Sequence, residues 1–427
     1  MNRAEVCARI DQAVQGIANE IEEFGRQIIR VKTENPPGDN YRQCAELIGK
    51  KLKEFGYQVE YVTVPEERLQ ELAPHGQGLE RVSVIGRYSG KQSHPVLHFS
   101  GHMDVVPAGE GWSVDPYAGI VKDGRLYGRG ASDQKSGIIA STFVSEVVKT
   151  AGFRLQGTLE QSATPDEETG GVAGVGYLVE QGYIKKGKTD YCVITECLDV
   201  DQICIGHRGT LWLTIETEGK KCHGSMPEVG INALDKMVEF IHVLNTELKP
   251  EVAKRTTTLP VVPPACRKNT LVATVIHAGT KVNTVPDKCV AELDRRIIPP
   301  ETAASALAEI EAVCARLQAK DPDFRYKLQP TLAVDPTLVP DDTAVAKAFM
   351  ASGEQVLGRS PKFVLSPGMD DQRYVVKQGG IEQCIVYGPG PLALAHQNDE
   401  YVELADILTA VKIMALAAME LLGYEEI

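Results

Sequence analysis

The segment VLHFSGHMDVVP (96–107) sets a short apolar run, Val96 to Phe99, directly before a polar turn that carries His102 and Asp104. Such a run reads as a strand buried in a sheet. In open α/β sheets, the loops at strand C-termini carry the binding site. Residues i and i+2 of an extended chain point the same way, so His102 and Asp104 share a face. A carboxylate beside an imidazole can orient it as a metal ligand. The alternative for this turn alone is a surface loop capped by Asp104.

Outward from this run, similar apolar stretches at 82–85, 158–162 and 191–195 read as further buried strands. A helix is predicted over about 137–150, with Ile139, Phe143 and Val147 on one side. Towards the N-terminus, Val6, Ile10, Val14, Ile17, Ile21, Phe24 and Ile28 recur at three- and four-residue steps and predict one amphipathic helix. After the turn Pro36-Pro37-Gly38 a second helix is predicted over about 41–55, with Gly56 as its C-cap. Strands alternating with helices indicate an α/β sheet domain.

From about residue 209 the order changes to strand 211–217, helix 232–248, strands 271–277 and 289–298, helix 303–317 and strand 324–328. That β-α-β-β-α-β order is the split arrangement of a ferredoxin-like domain. The remainder returns to α/β, with helices near 343–356 and 404–422 and strands near 362–365 and 384–387. The expected organisation is an α/β domain formed by 1–208 and 328–427, interrupted by an insert at 209–327.

A chain of 427 residues accommodates two to three domains. At 43% hydrophobic and 24% charged residues it has the composition of a chain that buries a core. The formal net charge of −13 disfavours nucleic acid as the main ligand, because binding phosphates needs a positive field. No run approaches 18 apolar residues, and MNRAEVCARIDQAV (1–14) lacks an apolar core, so neither a membrane span nor a signal peptide is expected. Ten scattered cysteines without a C-x-x-C pair suit reduced thiols, and a cytoplasmic location is expected.

Four further elements carry chemistry. YGRGASDQKSG (127–137) opens a helix, where Asp133 is either a ligand or an N-cap. TPDEETGG (164–171) sets Glu167 beside Glu168, and adjacent carboxylates repel unless a cation neutralises them. The alternative is a solvated acidic turn. Glu196 in TEC (195–197) and His396 in ALAHQNDE (393–400) are ligands or loop residues. Two histidines and several carboxylates at successive strand ends suit zinc, manganese or cobalt. They suffice for two ions sharing one carboxylate.

GHMDVVP (101–107), GRGASDQKSG (128–137), TPDEETGG (164–171), CHGSMPEVGINA (222–233) and GPGPLALAHQNDE (388–400) together resemble the metallo-aminoacylase family, over nearly the whole chain. That family includes acetylornithine deacetylase, succinyl-diaminopimelate desuccinylase and bacterial glutamate carboxypeptidase. The resemblance implies a metal-dependent exopeptidase-like α/β catalytic domain with an inserted ferredoxin-like α+β dimerisation or lid domain. It implies one or two divalent ions, zinc first, with manganese or cobalt as alternatives. His102, Asp133 and Glu196 would hold one ion, and Asp133, Glu168 and His396 the other. Glu167 would be the general base, Asp104 would support His102, and His223 would stabilise the oxyanion in the site of a partner subunit. Asn283 and Arg296 match positions that contact the substrate carboxylate, and Arg373 is a further candidate. Arg295 or Arg296 alternatively serves only as a surface charge, and Asn283 only its own loop. The resemblance also implies a cis peptide between Asp133 and Gln134.

Two departures stand out. Many relatives are apolar where this chain has Gln134, and the deacylase relatives usually read Gly-Glu-Pro where it has Thr195-Glu196-Cys197. Glutamate at 196 is similar to the aminoacylase and deacetylase branch, since the peptidase branches mostly carry aspartate. The expected activity is hydrolysis of an amide C–N bond in a small carboxylate-bearing substrate such as an N-acyl amino acid, by a metal-activated water with Glu167 as base. A hydrolytic deaminase acting on an amino-aromatic or other non-peptide acid, or a dipeptidase or carboxypeptidase, would use the same site. A catalytically silent scaffold is disfavoured by retention of Glu167 and all five ligands. The expected assembly is a homodimer through the insert, with no nucleic-acid or membrane partner.

Overall fold

Val96–His102 is buried along its whole length and pairs in parallel with Thr158–Thr164 on one side and Tyr191–Ile194 on the other. The computed structural model describes residues 2–427. Cys384–Val386 extends the parallel block beside Tyr191–Ile194. Antiparallel strands flank it: Val82–Tyr88 and then Gln58–Thr63 at one side, Gln202–His207 at the other. Strands covered on both faces by helices read as continuous apolar runs, which is why the sequence reveals them. Their polar members satisfy one another. His98 Nδ1 lies 3.0 Å from Glu160 Oε2 and Nε2 lies 2.8 Å from Ser162 Oγ, while Arg87 pairs with Glu160.

The helix Leu404–Leu422 is apolar around most of its circumference and buries Ile407, Val411, Met414, Ala418 and Leu422 in the main core, with Ile138, Phe143 and Phe349. Among the described residues no helix is long and apolar enough to cross a membrane.

Two predicted helices are each divided. The periodic N-terminal segment forms Arg3–Gly16 and Ala18–Arg30, parted at Ile17 (φ −116°, ψ 13°) directly after Gly16, a weak helix former. The segment predicted over 137–150 forms Lys135–Thr142 and Val144–Thr150. Before the break at Phe143, Ser141 Oγ donates to the Gly137 carbonyl (2.9 Å) and Thr142 Oγ1 to that of Ile138 (2.7 Å). Hydroxyls that bond back to the preceding turn bend helices.

The chain divides into two compact units, one of them formed by the residues up to Ile205 with Val339–Phe363 and Asp370–Ile427, the other by Gly206–Leu338 with Val364–Met369. The second unit has a four-stranded antiparallel sheet, in the order Thr270–Ala278, Lys288–Ile297, Gly209–Glu218, Arg325–Val334. Numbered along the chain that order is 2-3-1-4, the split βαβ arrangement. The helices Ala233–Val243 and Ala303–Lys320 close one face over Leu211, Leu213, Ile215 and Leu293.

The unit boundaries fall at 205/206 and 338/339 rather than 208/209 and 327/328. The last strand is longer than expected because it follows Gly209–Glu218 for its full length, across a register shift at Trp212/Leu213 that faces Pro330. A proline inside a run weakens its reading as a strand and belongs at such irregularities.

The helix Lys135–Thr142 meets the strand end that leads to Glu196 with almost no space between them. A Cβ on Gly137 would lie 1.8 Å from the carbonyl oxygen of Thr195. Gly137→Ala is therefore expected to destabilise the protein by about 1–3 kcal/mol, the scale of overpacking. The measurement is the midpoint of urea or thermal unfolding, and an unchanged midpoint would contradict this packing.

Candidate metal centre

The parallel register sets His102 opposite Thr164 and Ser100 opposite Ile194, so three strand ends meet along one edge of the sheet. His102 closes its strand. Past Thr164 the chain turns at Asp166, whose left-handed backbone (φ 67°) is uncommon outside glycine. The Asp166 carboxylate is held by Arg81 Nε at 2.7 Å and by Tyr41 Oη at 2.9 Å, and both Arg81 and Asp166 are buried. Losing one partner of a buried ion pair costs about 3–5 kcal/mol, so this turn is strongly held.

The Asp104 carboxylate accepts from the main-chain N–H of Glu167 (3.2 Å) and of Glu168 (3.1 Å), and from Asn35 Nδ2 (2.9 Å). It thus ties the acidic turn to the strand of His102. His102 Nδ1 is nearer to the main-chain carbonyl of Asp104 (2.9 Å) than to its carboxylate (3.4 Å).

Asp133 precedes the helix Lys135–Thr142, and its peptide bond to Gln134 is cis, as the resemblance implies. Glu400 Oε1 accepts from the main-chain N–H of Ser132 (2.8 Å) and of Asp133 (3.0 Å), and Glu400 Oε2 accepts from Arg129 Nη1 (2.6 Å). Gln134 Nε2 donates to Glu196 Oε1 (2.8 Å), and its Oε1 accepts from Thr195 Oγ1 (2.9 Å). His396 has a left-handed backbone (φ 63°) beyond the turn Gly388-Pro389-Gly390-Pro391.

The side chains converge on Asp133. His102 Nε2 lies 3.2 Å from Asp133 Oδ1 and 3.3 Å from Glu196 Oε1. His396 Nε2 lies 3.5 Å from Asp133 Oδ2 and 3.1 Å from Glu168 Oε2. The two oxygens of one carboxylate therefore face two separate imidazole–carboxylate pairs. Donor atoms of His102, Asp133 and Glu168, and likewise of His102, Glu167 and Glu196, lie within 4.8 Å of one another.

The donor set fits a divalent ion. A carbonyl can only accept, so His102 Nδ1 carries a proton towards Asp104 O. In the neutral ring Nε2 then turns a lone pair towards the oxygens of Asp133 and Glu196. A cation between them, or a second proton on the ring, removes that repulsion. The electrostatics agree. Burial disfavours a charged His102, yet Glu196, Asp104 and Asp133 hold its pKa well above the usual range. Burial pushes Glu196 up to about 7, with His102 opposing and Asp133 adding to the rise. Burial likewise raises Glu167 far above the carboxylate range, against the pull of His102, with Glu196 and Asp371 adding to it. The hydrogen bond to Glu168 lifts His396 to about 8. Negative charge outweighs positive, and a divalent ion held by these residues would supply the difference.

The remaining sequence candidates divide between the units. Arg373 belongs to the first unit, is buried, and donates through Nη2 to the carbonyl of Gly170, just beyond the acidic turn. Its Nη1 has no hydrogen-bond partner. His223, Asn283 and Arg296 belong to the second unit. There His223 pairs with Thr284, and the main-chain N–H of Gly224 donates to Asn283 O (2.8 Å). Arg295 is buried and donates to Glu301 Oε2 (2.9 Å), whereas Arg296 donates to Asp294 Oδ2 (3.1 Å) and Thr210 Oγ1 (3.0 Å).

Sequence reasoning assigned no role to Asn35, Tyr41, Arg81, Arg129, Asp371 or Glu400, all of which bear on this cluster. Glu400 and Arg129 lie within quoted motifs, and Asp371 is two residues from Arg373. Arg81 and Tyr41 had no local signal, because their partner Asp166 is 85 and 125 residues away.

Peptidase family M20/M25/M40 matches residues 98–420. A succinyl-diaminopimelate desuccinylase of Parvibaculum lavamentivorans is 28% identical over 326 residues, covering 74% of this chain and 77% of the relative. Human carnosine dipeptidase 1 has the same fold, with a TM-score of 0.78 at 17% identity over 97% of this chain and 98% of that one. So does a dinuclear metal-binding peptidase of Bacillus subtilis, with a TM-score of 0.64 at 16% identity over 95% and 99%. With the match spanning every strand end that contributes to the cluster, the chain belongs to peptidase family M20/M25/M40 and is a metal-dependent hydrolase of amide C–N bonds.

Proposed function

We propose that the protein removes the acyl group from a small N-acyl amino acid, with His102, Asp133 and Glu196 holding one divalent ion and Asp133, Glu168 and His396 a second. The observation that carries this reading is the split of Asp133, with Oδ1 facing His102 and Oδ2 facing His396. Zinc is the first choice for such imidazole and carboxylate donors, with manganese or cobalt as alternatives. Bound ions would polarise the substrate carbonyl and acidify a water.

The chain's own residues do the rest. Glu167 takes the proton of the attacking water on its carboxylate and returns it to the nitrogen of the leaving amine. The carboxylate of Asp104 keeps the main chain of Glu167 and Glu168 in place. Arg373, with Nη1 unpaired, offers a guanidinium to the substrate carboxylate. Asn283 and Arg296 are further candidates for that end of the substrate. The desuccinylase relatives support an acyl amino acid as substrate.

A homodimer through the insert completes the reading. The strand Thr270–Ala278 lies at the edge of its sheet with Val272 and Ile276 exposed, a surface suited to two-fold pairing. His223 Nδ1 accepts from the main-chain N–H of Ser225 (3.2 Å), which leaves Nε2–H to donate to an oxyanion in the neighbouring site. A cytoplasmic location is consistent with ten cysteines outside any disulfide.

The direct test is a screen of metal-loaded protein against N-acyl amino acids, dipeptides and aminobenzoates, reading both free amine and ammonia. Amine release from acyl amino acids is expected, and ammonia release from aminobenzoates alone would replace this reading with an aminohydrolase. His102→Ala and Asp133→Ala should each lose stoichiometric divalent metal by elemental analysis, and unchanged metal in both would remove the ligand assignment. Glu167→Ala should keep its metal and lose about 10²-fold or more in kcat, the scale of a general base. A near-normal rate would give the proton to another group. Mixing inactive Glu167→Ala and His223→Ala subunits should restore activity once they exchange. No recovery after proven exchange would place His223 in its own chain's site or outside catalysis.

A further inference from the structure

We propose that Gln134 is a positioning residue of the metal centre. Its amide holds the Glu196 carboxylate beside His102 and Asp133, and so sets the affinity of that half-site for its ion. The proposal rests on the metal-centre reading above and deepens it.

Gln134 is 1% exposed, and both ends of its amide are engaged. Nε2 donates to Glu196 Oε1 (2.8 Å), the same oxygen that lies 3.3 Å from His102 Nε2. Oε1 accepts from Thr195 Oγ1 (2.9 Å). An ionised carboxylate only accepts, so the NH2 end of the amide faces Glu196 and its oxygen faces the Thr195 hydroxyl. The amide therefore has one orientation. Gly101, next to His102 in the chain, leaves the space in which the bond between Thr195 and Gln134 forms. A Cβ there would lie 2.5 Å from Thr195 Oγ1 and 2.8 Å from Gln134 Oε1.

The neutrality of the donor matters. Asp133 and Glu196 both face His102 Nε2, and the repulsion between the two carboxylates works against Glu196 staying there. A lysine or arginine could also hold Glu196, but its charge would repel a divalent ion. A neutral amide orients the carboxylate and leaves its charge for the ion. An apolar side chain at this position would fill the same space and leave Glu196 free to turn.

The other half-site is built differently. Among the described residues, the Glu168 carboxylate has His396 Nε2 at 3.1 and 3.2 Å and no side-chain amide. The effect of Gln134 is therefore confined to the ion of His102 and Glu196.

The test is a cobalt titration of the chelator-treated full-length protein, followed by absorption. Gln134→Met keeps the length of the side chain and removes the amide. One binding step should weaken about tenfold or more, the scale for a group that orients a metal ligand, and the other should stay as in the wild type. The same substitution made in Glu196→Ala should change cobalt affinity no further, because the carboxylate it positions is gone. A general loosening of the fold would weaken binding with or without Glu196, so this comparison separates positioning from packing. If Gln134→Met does not fold, Thr195→Val, which frees the amide to turn, decides by the same comparison. Wild-type affinity in the variant, or a loss that persists in Glu196→Ala, overturns the proposal and leaves the metal centre intact. A wild-type protein that binds no cobalt overturns the metal-centre reading, and this proposal with it.

Discussion

The lateral pairing of Val96–His102 between Thr158–Thr164 and Tyr191–Ile194 is the constraint on which the remainder of the site depends. Because side chains alternate along a strand, a slip of one residue would turn His102 to the opposite face and separate it from Thr164. The paired strands bury Leu97, Phe99, Leu159 and Val193 in the core. Every loop of the candidate centre starts from that edge or is tied to it. Asp104 binds the acidic turn, Gln134 binds the Glu196 segment, and Glu400 binds the main chain of Asp133.

Given this scaffold, the governing problem is charge. Asp133, Glu167, Glu168, Glu196 and Asp371 lie around His102 and His396, and burial alone lifts several of these carboxyls towards neutrality. Two carboxylates that position the neighbouring loops are paired with arginines. Asp166 has Arg81 and Glu400 has Arg129, both as buried ion pairs. The carboxylates of the cluster have no such partner apart from the histidines and Arg373. A divalent ion bound among them would make their proximity favourable.

The two sequence departures fall within this balance. Gln134 does not leave a gap where an apolar side chain would pack. Its amide bonds both Glu196 and Thr195. Cys197 continues from Glu196 into the same half of the centre. Substitutions that looked like separate deviations along the chain are neighbours in the fold, because the helix after Asp133 packs directly on the strand end before Glu196.

Local patterns in the sequence determined much of the architecture: the buried strands, the second unit's β-α-β-β-α-β order, and the residue types whose chemistry calls for a metal. Burial on both faces and the helical period leave signatures within a few residues, so these features are legible without the fold. The divided helices, the full length of Arg325–Val334 and the chain's return at Val364–Met369 were not legible, since back-bonding hydroxyls, a bulge and long-range pairing decide them. The resemblance proposed which residues would share an ion. Only the tertiary structure showed that Asp133 divides its oxygens between His102 and His396, and that Asp104 reaches His102 through its carbonyl. It alone brought Arg81 and Tyr41 to Asp166. Those contacts join residues far apart in the chain, and their distances follow from packing rather than from any local pattern.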